Sequence, residues 1–217
     1  MSKLFLKIKD PMSALTHFIG FLAVIPCFIL LMHKAKLEAS IWHLWGFAIF
    51  GASLLLLYGA STIYHTLRLS PKRVKVLRRI DHMMIFVLIA GTYTPICLVS
   101  LHGKWGWTML VLIWAFALSG ILLKVFWMNA PRWLSTLIYV VMGWLAAIVF
   151  VPLEKAVSWQ GVGLLLAGGI VYTLGAVIYG LKKPNITFKN FGFHEIFHVF
   201  VMIGSSLHIA FMFQYVL

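Results

Sequence analysis

Long apolar runs separated by short polar clusters organise the chain. The runs fall near 13–32, 42–67, 80–101, 105–127, 133–152, 158–181 and 192–215. Each is about 20–25 residues long, the length an α-helix needs to cross a hydrocarbon layer ~30 Å thick. Strands of a membrane barrel would be about 10 residues long and would alternate in polarity. The pattern therefore predicts an all-α polytopic membrane protein, a bundle of seven transmembrane helices forming one domain over 1–217. The basic start followed by an apolar run has the outline of a signal peptide. No small-residue cleavage site follows it, so the segment is expected to remain as the first span.

Composition agrees with this picture. Hydrophobic residues make up 62% of the 217 residues and charged ones 11%, against about 25% charged in soluble domains. The net charge of +13 would suggest nucleic acid in a soluble protein. Here the basic residues lie in short segments between apolar runs, so they are read as topology signals and contacts with anionic lipid headgroups. No nucleic-acid partner is expected. Cys27 and Cys97 sit far apart inside apolar runs and form neither a disulfide framework nor a CxxC pair. The glycines from Gly161 to Gly180 mark close helix packing.

Lys and Arg divide unevenly between the two sides. Lys3, Lys7 and Lys9, the cluster Arg68–Arg79, Lys124, Arg132, Lys182, Lys183 and Lys189 lie on one side. Only Lys34, Lys36, Lys104 and Lys155 lie on the other. The positive-inside rule then puts the N-terminus in the cytoplasm and the C-terminus outside.

Ionisable residues within a bilayer are expensive and are functional candidates by default. Of the five acids, Asp10, Glu38 and Glu154 fall in terminal or connecting segments and are expected to be solvated. Asp81 and Glu195 stand at the starts of the third and seventh spans. The second span ends in Ser61-Thr-Ile-Tyr-His65, and the seventh opens His194-Glu-Ile-Phe-His198. His194 and His198 are four apart, so a helix presents them on one face, about 6 Å apart along its axis. In the expected topology His65, Asp81, His194 and His198 share one depth near the cytoplasmic face. Three imidazoles and a water make an ordinary tetrahedral zinc set. Asp81 would offset the ion's charge, as a ligand or by accepting a hydrogen bond from the water, and Ser61, one turn from His65, would orient that water. His17, His82 and His208, each taken singly, are read as packing or snorkelling residues, and His33, His43 and His102 as loop or interface residues.

The His194–His198 segment also matches HExxH, a zinc-protease pattern. Such proteases add a downstream acidic ligand, and no Asp or Glu follows Glu195. Glu195 lies about 100° round the helix from His194 and is expected to face headgroups or Lys189.

Ala60–His65, the run Asp81-His-Met-Met-Ile-Phe-Val-Leu-Ile-Ala-Gly-Thr-Tyr-Thr-Pro95, Met142-Gly-Trp144 and His194–His198 together resemble the hemolysin III family. That family groups with the progestin and adipoQ receptors and, more widely, with alkaline ceramidases. The resemblance runs from about Asp10 to the C-terminus. It implies seven helices with a cytoplasmic N-terminus and a location in the bacterial inner membrane. It also implies zinc on His65, His194 and His198, with Asp81 and Ser61 engaging the metal-bound water. In the adiponectin-receptor and ceramidase branches it implies hydrolysis of lipid amides, and in bacterial members a role in membrane lipid homeostasis. The family name comes from haemolytic, pore-forming activity. The family's first helix begins with an acidic pair and an Asn ahead of Thr-His-Gly. Lys9-Asp10, Ser13 and Thr16-His17-Phe18 stand there instead, so no site role carries over to that segment.

Three functions are therefore expected in turn. The first is a zinc-dependent hydrolase of lipid amides or esters, with Asp81 as general base and a lipid substrate entering from the inner leaflet. The second is a non-enzymatic sensor of membrane state with structural zinc. The third is a pore, which would need a polar stripe along several helices rather than polar residues gathered at one depth.

Overall fold

The computed structural model describes residues 8–38, 40–127, 129–184 and 191–217. These residues are helical almost throughout and contain no strand ladder. Helix α1 is Pro11–Glu38, α2 is Ile41–Thr66 and α3 is Pro71–Pro95, which continues as a π-helical turn over Ile96–Leu101. Next come α4 (Gly103–Phe126), α5 (Arg132–Trp144), a 3-10 stretch (Leu145–Val149) and α6 (Phe150–Leu181). Helix α7 (Phe193–Phe211) ends in a second π-helical turn, Met212–Val216. Lys3, Lys7 and Lys189, which entered the charge count, lie outside the described residues.

Among the described residues, six segments are long and apolar enough to cross a membrane, the fifth covering all 50 residues of Arg132–Leu181. The surface is inverted relative to a soluble protein. Val111 is 67% exposed and Leu118 57%, while Ser61, Asp81 and His198 are buried. A continuous outward apolar belt over a polar interior is what lipid as solvent selects.

Consecutive helices pack side by side, and α1 also packs against α7, so the bundle closes into a ring. One apolar core, including Phe47, Phe50, Leu54 and Phe211, joins α1, α2 and α7. A second, including Phe86, Ile113, Ala117 and Met142, joins α3, α4 and α5. Gly106 allows the close turn from the first π-helical segment into α4: a Cβ there would lie 2.1 Å from the Cys97 carbonyl oxygen.

The start of α3 differs from the sequence expectation, while a break in α6 falls where the sixth run was expected to begin. Helix α3 begins at Pro71 rather than near 80, because Ser70-Pro71 starts a helix and the Lys, Arg and Leu that follow sustain one. The basic cluster is therefore helical, and Asp81 lies almost three turns inside α3. In α6 the backbone leaves helical geometry at Ser158 (φ 63°, ψ 168°). The residues before that point run back beside those after it. The Arg132 guanidinium sits 4.8 Å over the Tyr179 ring, and Trp144 Nε1 donates to Thr173 Oγ1 at 3.0 Å.

Candidate metal centre

His65 lies in the last turn of α2, and His194 and His198 lie in the first two turns of α7. One nitrogen from each of the three rings falls within 4.8 Å of the others. His65 Nε2 and His194 Nε2 are 3.2 Å apart. Ligands on a tetrahedral ion with bonds of 2.0–2.1 Å stand about 3.3 Å from each other. The set is therefore placed so that it could hold a metal ion, with the third nitrogen slightly wide. Asp81 does not belong to this converging group among the described residues, which leaves it the role of a neighbour rather than a ligand.

The start of α1 supplies the layer behind the ligands, contrary to the expectation that Asp10 is simply solvated. Asp10 Oδ2 accepts from His65 Nδ1 at 2.9 Å and pairs with Lys9 Nζ at 3.2 Å. Partial burial by itself raises the Asp10 pKa, but the His65 ring and the Lys9 ammonium outweigh it and hold the carboxyl below its usual range. Thr16 Oγ1 donates to the Ser13 carbonyl at 2.9 Å and stands 3.1 Å from His198 Nδ1. With Nδ1 of each ring engaged by an oxygen from the start of α1, Nε2 is the nitrogen left for a metal. His17 was expected to pack or snorkel. It is buried at 3% exposure and stacks on His198 with ring centroids 3.6 Å apart, and neither of its ring nitrogens has a hydrogen-bond partner among the described residues.

Glu195 does not face headgroups. Its carboxylate accepts from Ser13 Oγ and, at 2.8 Å, from the Gly192 N–H, closing a cap on the first turn of α7. It fixes the angle at which α7 presents His194 and His198, and the protease role of a general base does not suit it.

Above the rings opens a cavity of about 1050 Å³ including its mouth, walled by α2, α3, α5, α6 and α7. Asp81, Ser61, His17, His194 and His198 line one end. Apolar residues and the bare glycines Gly143 and Gly169 line most of the rest. Ser61 Oγ is fully buried without a well-formed hydrogen bond, and Asp81 is 8% exposed. All five side chains singled out from the sequence thus converge on this end of the bundle. Asp10, Thr16 and His17 were missed, although Ser13 and His17, one turn apart on an otherwise apolar helix, carry a signal of the right period.

If Asp10 orients His65, Asp10→Asn protein should bind metal about 10–100-fold more weakly while remaining folded. Competition against a chromophoric chelator measures this, and an unchanged affinity would make the Asp10 contact incidental.

Comparison with known proteins matches this arrangement to a family. A family described as Haemolysin-III related matches residues 5–209. The chain is 45% identical over 195 residues to a hemolysin-3 homolog of Bacillus subtilis (strain 168), covering 89% of this chain and 88% of that one. It is 38% identical over 205 residues to hemolysin-3 of Bacillus cereus, covering 94% and 90%. A more distant relative, the monocyte to macrophage differentiation factor of Homo sapiens, is 24% identical over 189 residues, covering 85% and 75%.

Proposed function

The chain belongs to the Haemolysin-III related family, and on that premise we propose that it is a zinc-dependent hydrolase of lipid amides or esters. The observation that carries this reading is the convergence of three imidazole nitrogens within 4.8 Å at one end of an apolar cavity that Asp81 and Ser61 also line. An all-imidazole set suits zinc, and an apolar lining suits an acyl chain. Location in the bacterial inner membrane and a contribution to lipid homeostasis follow from the resemblance to other members.

The reading includes seven crossings. Fifty continuous helical residues would extend about 75 Å, more than twice a hydrocarbon layer. The turn at Ser158 and the contact of Arg132 with Tyr179 support reading Arg132–Leu181 as two antiparallel spans. With seven crossings, the positive-inside count favours a cytoplasmic N-terminus and, with it, a cytoplasmic histidine end.

Bound zinc would supply an acidified water and polarise the substrate carbonyl. The chain's own residues do the rest. Asp81, nearly buried beside that end of the cavity, takes the proton of the attacking water and returns it to the leaving group. Ser61 Oγ, with hydrogen-bonding capacity unused, orients the water. His17 covers His198 and excludes solvent from that side. The apolar walls hold the acyl chain so that its carbonyl, and not its tail, reaches Asp81.

Gly169 tests whether the cavity is the substrate site. A Cβ there meets nothing within 4 Å, so a side chain can start from this position, and Gly169→Leu would extend into the cavity that the residue lines. Incubated with an extract of bacterial lipids, the purified protein should release free fatty acid. Gly169→Leu should lower that release at least about tenfold with metal content unchanged. Full release by this variant would move the substrate out of the cavity.

One observation favours a second reading, a metal-clamped sensor without turnover. His65 and His198 come from different helices, and each is tied to the start of α1, so a bound ion would lock three segments together. Metal-loaded protein that releases no fatty acid from any lipid extract, yet unfolds at a higher temperature than metal-free protein, would select that reading.

A further inference from the structure

Beyond the histidines, the same end of the bundle gathers three cations. Lys124, in the last turn of α4, is only 3% exposed, and its ammonium donates to Ser135 Oγ. Arg132 opens α5, with its guanidinium 4.8 Å over Tyr179 and 5.8 Å from the Phe193 ring. Arg78 precedes Asp81 on α3. Ser135 is three residues on from Arg132 in α5, and the carbonyl of His82, one turn on from Arg78 in α3, accepts from Tyr139 of α5, so the three cations stand on adjoining helices at one end of the bundle.

Among the described residues no carboxylate forms an ion pair with any of them. The chain has five acids. Asp10 is taken by His65 and Lys9, and Glu195 by Ser13 and the Gly192 N–H. Asp81, three residues on from Arg78, lines the cavity with Ser61 and forms an ion pair with none of the three. Glu38 ends α1 and Glu154 lies early in α6, both at the far end of the bundle. Moreover, Arg78 Nε and Arg132 Nη1 are buried with no hydrogen-bond partner among the described residues. Converging positive charges with orphaned donors in a low-dielectric setting are costly unless an anion completes them. Topology signals alone need no such convergence, since lysines that only meet headgroups snorkel outward, and Lys124 points into protein.

The cluster adjoins the cavity. His82, Tyr139 and Tyr179 line it, Tyr139 donates its hydroxyl to the His82 carbonyl at 3.1 Å, and Arg132 rests on the Tyr179 ring. We infer that Arg78, Lys124 and Arg132 bind the phosphate of a glycerophospholipid whose acyl chain enters the cavity. Guanidinium and ammonium donors at a phosphate are a standard pairing. The inference rests on the proposed function only in naming this lipid as the substrate. Binding itself requires neither metal nor turnover.

Retention of defined lipids by the full-length protein in a neutral detergent, read by native mass spectrometry, tests it. Phosphatidylglycerol should be retained about tenfold better than diacylglycerol with the same chains. Lys124→Met and Arg132→Gln should each remove most of that preference, and Arg132→Lys should keep most of it. Lys155→Met, at the far end, should change nothing. Millimolar inorganic phosphate should not displace the lipid. Equal retention of the two lipids, or a preference unaffected by Arg132→Gln in a monodisperse preparation, would overturn the inference. Displacement by inorganic phosphate would do the same, since it would assign the site to the free anion. Metal content measured on the same samples keeps the two readings apart. Phospholipid preference in a protein that binds no metal would leave this inference standing and sink the hydrolase.

Discussion

Asp81→Asn protein should retain its metal and lose lipid hydrolysis by roughly 10²–10⁴-fold, the range a positioned general base contributes. The substitution is nearly isosteric. It leaves the three imidazoles untouched, because Asp81 lies outside the group of nitrogens that converge within 4.8 Å. What it removes is the one carboxylate lining the cavity at that end, and no other acid stands in reserve. Asp10 is engaged by His65 and Lys9, and Glu195 caps α7. Fatty-acid release measured against metal content on the same preparations separates the outcomes. Release within about threefold of wild type would remove Asp81 from the chemistry. Loss of both metal and release would make it a ligand instead.

His198→Ala and His65→Ala should each reduce bound metal from about one ion per chain to about a tenth of that or less, because a three-imidazole site reduced to two lacks a closed ligand set. His198 is the more telling position. It is fully buried, its Nδ1 is held by Thr16, and His17 stacks on its other face, so no second side chain can swing in to replace it. His208→Ala serves as a buried control. That ring is tied to the Gly204 carbonyl at 2.7 Å, almost three turns further along α7 than His198, and its loss should leave metal content unchanged. Equal metal in His198→Ala and wild type, by elemental mass spectrometry, would contradict the three-histidine site.

What the sequence made legible follows physical scale. Spans were readable because lipid imposes long, nearly charge-free runs, and Val111 and Leu118 face outward as that requires. The ligands were readable because His65, His194 and His198 are costly at membrane depth and two of them share a helical face. The extent of α3 was misjudged because Lys72–Arg79 look like a loop on a hydropathy scale, although nothing in them opposes a helix after Pro71. Asp10 was read as solvated because its neighbour His65 is distant in sequence. Contacts across a bundle, such as Asp10 with His65 or Ser13 with Glu195, depend on which helices adjoin, and periodicity carries no information on that. The uncompensated cations were invisible for the same reason. Arg78, Lys124 and Arg132 belong to three helices, and only their packing shows that, among the described residues, none of them forms an ion pair with a carboxylate.

The most direct measurement is X-ray absorption at the zinc edge on the purified, zinc-loaded protein. Three imidazoles from His65, His194 and His198 predict a first shell of nitrogen or oxygen only, about four neighbours at 2.0–2.1 Å, with the outer-shell scattering of about three imidazole rings. A shell containing sulfur, or one with the imidazole signal unchanged in His198→Ala, would place the metal elsewhere and leave the three histidines as a packed polar cluster.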